Sequence, residues 1–183
     1  MSSKFVEKLN SFEWLLTDGA TGTNLFDMGL MSGDSPELWN EEFPEKIIKL
    51  HKNAVDAGSD LFLTNSFGSN ALRLKLHNLG DKAFELSKLS AEIARGVADC
   101  YDRPVFVAGS VGPTGEIMHP IGELTHKTAV EVFHEQAQGL KAGGADLLWL
   151  ETISAPEEFQ AAAEAFSYIC LLYTSPSPRD SIR

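Results

Sequence analysis

The sequence has few of the features that mark secreted, membrane-spanning or nucleic-acid-binding proteins. Its two cysteines, Cys100 and Cys170, are too few for a disulfide framework and are typical of a reducing cytoplasm. There is no run of about 18 apolar residues, and the N-terminal MSSKFVEKLN lacks the apolar centre of a signal peptide. The formal net charge of −11 argues against nucleic acid or an anionic membrane as a partner. We therefore expect a cytoplasmic globular protein.

Metal-binding spacing is also missing from the sequence. The five histidines form no HExxH motif and no i,i+4 pair, and four of them fall in predicted helices, where we expect them on the surface. Cys100 continues the apolar stripe of its helix and is interpreted as a core residue. No metal site is predicted from these residues.

Short apolar runs alternate with longer segments of helical periodicity, which predicts a parallel α/β sheet with right-handed crossovers. The runs interpreted as strands are 14–17, 61–63, 105–108 and 147–150. The predicted helices are 44–57, 70–77, 81–101, 125–143 and 155–166, with Asp81 as a candidate N-cap.

The strand ends recur at a regular distance along the chain. Asp18, Thr64, Ser110 and Glu151 lie 46, 46 and 41 positions apart, so each strand–helix unit takes about 44 residues. Eight such units would need roughly 350 residues, within the range of a (β/α)8 TIM barrel with insertions. The fold class predicted is therefore α/β, with about the first four βα units of a barrel present.

The last residues break this pattern. A Ser/Pro/Arg segment follows the helix at 155–166, where a fifth strand would be expected, and such a segment is unsuited to the interior of a sheet. We interpret residues 1–168 as the N-terminal half of a barrel and residues 169–183 as a non-native or disordered tail. An open half-barrel would leave unpaired edges through which the chain could self-associate.

Small, hydroxylated and acidic residues follow the predicted strands, at the edge where parallel α/β proteins bind their ligands. The carboxylates Asp18 and Glu151 would be natural counter-charges for a ligand ammonium group. The candidate substrate-binding residues are Asp18, Gly19, Thr64, Asn65, Ser66, Ser110, Val111, Gly112 and Glu151.

Each feature has an alternative explanation. Asp18 could be a helix N-cap, and Glu151 could be one half of a structural ion pair. The turn 19–23 could cradle a phosphate, although it lacks the lysine of a P-loop. Paired carboxylates also occur in glycoside hydrolases. Trp39 could either cap the pocket or anchor the loop that carries it.

Taken together, the strand-end motifs resemble the homocysteine S-methyltransferase family. The nearest types are the betaine–homocysteine methyltransferases and the homocysteine-binding module of cobalamin-dependent methionine synthase, of which a bacterial betaine-type enzyme is favoured. The resemblance runs from about residue 14 to residue 166, and its motifs occur in order at successive strand ends. The matching segments are LTDGATGT at 16–23, PELWN at 36–40, AGSD at 57–60, TNSF at 64–67, AGSVGPTG at 108–115 and WLET at 149–152.

The resemblance implies a barrel enzyme in which zinc activates the homocysteine thiol for methylation to methionine. It implies that Asp18 and Glu151 hold the substrate amino group, with Gly19 and residues 64–66 in the nearby wall. Residues 110–112 would face homocysteine or the methyl donor, betaine or a similar compound.

The family binds zinc through three cysteines, and neither Cys100 nor Cys170 matches one of those positions. We therefore expect a fragment that lacks the zinc ligands, has no identifiable catalytic residue and is inactive. The alternative hypothesis is a non-catalytic half-barrel that binds an amino acid or pairs with another chain.

Overall fold

The computed structural model describes residues 4–11, 14–169 and 171–174. Its strands are β1 Leu61–Leu63, β2 Phe106–Val111, β3 Leu147–Leu150 and β4 Leu172–Thr174. Its α-helices are α1 Lys4–Ser11, α2 Thr21–Asp27, α3 Trp39–Glu42, α4 Pro44–Asp56, α5 Ala71–Lys75, α6 Ala83–Ala98, α7 His126–Ala142 and α8 Pro156–Ser167. Two 3-10 turns, Pro36–Leu38 and Gly80–Lys82, precede α3 and α6. None of the helices in these ranges is long and apolar enough to cross a membrane.

The four strands form one parallel sheet in the order β1-β2-β3-β4. Each strand–helix unit therefore places its strand beside the previous one, as in the winding of a (β/α)8 barrel, of which part is present here. The predicted strand at 14–17 is reduced to a single parallel bridge between Thr17 and Leu61. The predicted fold class is confirmed.

Side chains of the strands alternate between two apolar layers, as the period-two geometry of a strand requires. Phe62, Val107 and Leu148 point into the large core that the sheet shares with the helices. Leu61, Phe106 and Leu147 point to the opposite face, which is the inner face of the barrel wall. There α1 covers part of the sheet, since Phe5 packs edge-on against Phe106 with ring centroids 5.3 Å apart.

Small residues allow α6 and α7 to pack closely. α6 turns a stripe of alanines and serines, including Ala91 and Ala94, into the core. α7 presents Gly139, where an added Cβ would lie 2.5 Å from the Phe84 carbonyl oxygen of α6. Side chains larger than these would force the two helices apart.

Two predictions about α6 were wrong. The helix begins at Ala83 after a 3-10 turn, so Asp81 lies in that turn and does not cap α6. Cys100 lies beyond the end of α6 and is exposed, so it does not belong to the core. Both errors come from extending a helical periodicity past the residues that have helical geometry.

The expectation that no strand follows the last helix was wrong for Leu172–Thr174, which form β4. These residues pair in parallel with β3, and Leu147 lies opposite Leu172. Apolar and β-branched residues therefore extend the sheet before the Ser/Pro segment begins. Cys170 and residues 175–183 of the proposed tail lie outside the described residues.

Candidate functional site

A cavity of about 450 Å³ opens at the carboxyl ends of the strands. It brings together seven of the nine predicted site residues, although they come from four separate strand–helix units. Those seven are Asp18, Gly19, Thr64, Asn65, Ser66, Ser110 and Glu151. Among the residues that the structure describes, no lysine, arginine or histidine lines this cavity. The site is therefore acidic.

Asp18 is held against the end of β1. Its Oδ2 accepts a hydrogen bond of 3.1 Å from the backbone N–H of Leu63, whereas its Oδ1 is buried without a partner in the described part of the chain. Burial raises the pKa of Asp18 to about 6; the Leu63 N–H lowers it, and the charge of nearby Glu151 raises it further. A cationic group entering the cavity would stabilise the ionised form of this carboxyl and lower its pKa.

Glu151 lies just beyond β3 and is held by the neighbouring strand. The Ser110 hydroxyl on β2 donates a hydrogen bond of 2.6 Å to Glu151 Oε1. The carboxylate has no ion-pair partner among the described residues, which argues against a structural salt bridge. Glu151 and Asp18 therefore form an acidic pair that faces the cavity without a protein cation.

Side chains replace the missing backbone pairing where β1 ends before β2. The Ser110 N–H donates to Thr64 Oγ1 at 3.0 Å, and the Ser66 hydroxyl donates to the Ser110 carbonyl oxygen at 2.8 Å. Because Ser66 has only one hydroxyl hydrogen, the 2.5 Å bond between the two hydroxyls is donated by Thr64. These bonds close a ring on the Ser110 backbone and fix the loop after β1 to β2.

The two other predicted site residues, Val111 and Gly112, do not line this cavity. β2 continues to Val111, so alternation turns Ser110 to the inner face and Val111 into the helix-side core. Gly112 donates its N–H to the Phe67 carbonyl oxygen at 2.9 Å, and the Phe67 ring occupies the space where a Cβ would lie. Gly112 therefore supports the loop that contains Phe67.

Glu37 is a cavity residue that the sequence did not single out. It is buried, and its carboxylate accepts bonds from the Gly68 N–H at 2.7 Å and the Ser35 hydroxyl at 2.9 Å. Beside it, Asn40 donates to the Asn65 carbonyl oxygen at 2.9 Å. A segment between α2 and α4 is thereby fastened to the loop after β1. Glu37 was not selected from the sequence, because it does not follow a predicted strand.

The remaining alternatives for single residues can be compared with this geometry. Asp18 does not cap α2, because Ala20 occupies the N-cap position with a φ of 55°. Trp39 anchors its loop: it is buried with Leu25 and Ile47 and is not among the cavity residues. Lys46 covers its ring at 4.2 Å.

The described residues contain no group of three or more His, Cys, Asp or Glu side chains arranged to hold a metal ion. Cys100 is exposed just beyond the end of α6, and its thiol donates to the Gly96 carbonyl oxygen at 3.1 Å. A site built from three thiolates does not fit the described part of the chain.

Comparison with known proteins gives a consistent result. The family model for homocysteine S-methyltransferase matches residues 15–176. Methionine synthase of Mycobacterium leprae is 34% identical over 157 residues, and that of Mycobacterium tuberculosis is 33% identical. These matches cover 81% of this chain and 13% of each relative, so the chain spans a small part of their length.

Solved structures show the same similarity. The homocysteine methyltransferase MmuM from Escherichia coli in its metallated form superimposes with a TM-score of 0.80 at 26% identity. The match covers 91% of this chain and 64% of that protein. The oxidized form of MmuM gives a TM-score of 0.77.

Proposed function

Because the chain belongs to the homocysteine S-methyltransferase family, we propose that its cavity binds homocysteine for transfer of a methyl group to the sulfur, which gives methionine. The observation that supports this proposal best is the acidic pair of Asp18 and Glu151, which faces a cavity without a cationic side chain among the described residues. An α-ammonium group would neutralise that pair. The activity concerns a whole enzyme of this type, of which this chain spans a part.

The ammonium of homocysteine would contact Asp18 and Glu151, which both line the cavity. Asp18 Oδ1 is buried and has no hydrogen-bond partner among the described residues, so a donor from the ligand would satisfy it. Glu151 already accepts from Ser110 through one oxygen, which fixes the direction in which the other can accept. Charge-assisted bonds of this kind are shorter and stronger than neutral ones.

Zinc would activate the thiol by lowering its pKa when bound. The described residues do not fit a three-thiolate site, so we assign no step to zinc and propose that this chain alone neither binds it in stoichiometric amounts nor catalyses methyl transfer. Betaine as the methyl donor and a cytoplasmic location remain parts of the same proposal.

Binding of L-homocysteine measured by calorimetry tests the proposal. We expect Asp18→Asn and Glu151→Gln each to weaken binding by about tenfold or more, since each removes a charge-assisted bond. The exposed carboxylate Glu157, in the first turn of α8, provides the control variant Glu157→Gln, which should bind like the wild type. The ligand control is 4-mercaptobutyrate, which lacks the ammonium group.

Equal affinity for homocysteine and 4-mercaptobutyrate would contradict the proposal. A non-catalytic amino-acid-binding half-barrel would pass this binding test. Formation of methionine from homocysteine and betaine by an enzyme that contains this segment separates the two functions.

Self-association is the second part of the alternative, and the exposed edge strand favours it. Leu172 and Tyr173 of β4 are 43% and 40% exposed. Exposed apolar residues on an unpaired strand promote edge-to-edge pairing. Sedimentation velocity of the chain at increasing concentration tests this: a monomer at all concentrations would contradict it.

A further inference from the structure

Gln136 is a buried polar residue of α7 that does not line the cavity. Its side-chain amide Nε2 donates 2.7 Å to the Ser66 carbonyl oxygen and 3.3 Å to the Ser110 carbonyl oxygen. One amide group on the helix layer thus binds both the loop after β1 and the end of β2. The Gln136 Oε1 atom is buried, and none of the residues that the structure describes donates to it.

We propose that Gln136 is a positioning residue for homocysteine binding, acting from behind the sheet through Ser66 and Ser110. The inference rests on the proposed function. Ser110 carries the hydroxyl that donates to Glu151, so a shift of the Ser110 backbone moves the acidic pair. Gln136 fixes that backbone together with the ring formed by Thr64 and Ser66.

The need for an amide follows from what it contacts. Both contacts of Nε2 are carbonyl oxygens, so the residue at this position must donate. Glutamate has the same shape but, when ionised, would turn acceptors toward acceptors. Methionine has similar length and flexibility but cannot donate. Both would leave the Ser66 carbonyl with one fewer donor in a buried place, where unsatisfied groups are costly.

The test compares L-homocysteine binding by calorimetry in the wild type, Gln136→Met and Gln136→Glu. We expect both variants to bind about tenfold more weakly or worse. Val132→Ala, one turn earlier on the same helix and nearly buried, provides a control that weakens packing without touching the site loops. Val132→Ala should bind homocysteine with wild-type affinity, although its thermal midpoint should fall by about as much as those of the Gln136 variants.

Amide hydrogen exchange distinguishes a positioning role from a general loss of stability, because a general loss would not change the rate at Ser110 selectively. The Ser110 N–H is protected by Thr64, so its exchange should become at least severalfold faster in Gln136→Met relative to the Leu148 N–H in the sheet. In Val132→Ala the two amides should change in proportion.

The outcomes separate the two proposals. If the wild type does not bind homocysteine, the proposed function fails. If the wild type binds, but Gln136→Met binds equally well or loses affinity only as much as Val132→Ala, the positioning role is refuted. The positioning role is supported if Gln136→Met loses affinity for homocysteine more than Val132→Ala does and its Ser110 N–H exchanges selectively faster.

Discussion

Ser110 Oγ lies 2.6 Å from Glu151 Oε1 and donates its hydrogen to that oxygen. The two residues come from neighbouring strands, β2 and β3, and they meet because both strands end at the same edge of a parallel sheet. Ser110 is almost fully buried. A carboxylate at the rim of the cavity is thus oriented by a hydroxyl from within the wall.

Ser110→Ala should weaken homocysteine binding by about tenfold, since the Glu151 carboxylate loses its only hydrogen bond among the described residues. The ring on the Ser110 backbone involves main-chain atoms and should persist, so the urea midpoint should change little. Ser87→Ala removes a buried hydroxyl without a partner in α6 and is the matched control. Calorimetry measures the affinity of both variants for homocysteine. Equal losses of affinity in the two variants would contradict the role of Ser110.

Asp18→Asn should stabilise the free protein at neutral pH. The folded-state pKa of about 6 exceeds the ordinary value of 3.8 for this carboxyl, so the folded state binds more protons between these values and stability falls as pH rises through that window. We expect the variant to be about 1–2 kcal/mol more stable at pH 7.5 and equal to the wild type below pH ~4. Urea unfolding over this pH range measures the difference.

Asp102→Asn, at an exposed position, should leave that pH dependence unchanged. Parallel stability curves for the wild type and Asp18→Asn would show that burial does not perturb the Asp18 carboxyl.

Homocysteine binding should release a proton near pH 6. A bound ammonium group favours ionised Asp18, whose pKa in the free protein is about 6. Affinity should therefore fall as pH decreases through that value, by up to about tenfold per pH unit. Calorimetry in two buffers with different ionisation enthalpies measures the released proton. Asp18→Asn should abolish the release, and an undiminished release in that variant would assign the proton to another group.

Gly139→Ala should destabilise the fold by about 1–3 kcal/mol, because the new methyl group meets the Phe84 carbonyl of α6 at 2.5 Å. Gly96→Ala is the matched control on α6, where an added Cβ meets nothing within 4 Å. That control should be stabilising by about 0.5–1 kcal/mol, since alanine favours helix. Thermal unfolding measures the midpoint of each variant. Equal changes in the two midpoints would contradict the close packing of α6 and α7.

The purified chain should contain much less than one zinc per molecule after dialysis against a zinc-containing buffer. The described residues offer no cluster of metal ligands, and Cys100 is a single surface thiol. Elemental analysis by mass spectrometry measures the ratio. A stoichiometric, tightly held zinc would contradict this expectation and direct attention to Cys170.

The sequence predicted the elements that depend on long periodic patterns. The bounds of α4, α7 and α8 differ from the predictions by at most one residue, because proline or threonine marks their starts and an apolar stripe defines their length. β1 and β3 were also recognised from short apolar runs. β4 was missed because the Ser/Pro segment after it obscured three strand residues.

The site was predictable as far as strand ends could be located. Asp18, Thr64 and Glu151 follow their strands directly, and the cavity brings them together. Val111 does not line the cavity, because β2 extends to residue 111, and the run 105–108 gave no sign of this extension. Glu37 and Gln136 act through tertiary contacts with distant loops, and no local pattern encodes such contacts.

Because side chains alternate along β2, substitutions at the adjacent residues Ser110 and Val111 should have different effects. Ser110 faces the ligand cavity, whereas Val111 is buried among the helices. A library of variants scored separately for abundance and for homocysteine binding should place the two positions in different classes. Polar replacements at Val111 would lower abundance, whereas replacements at Ser110 would leave folded protein that binds poorly.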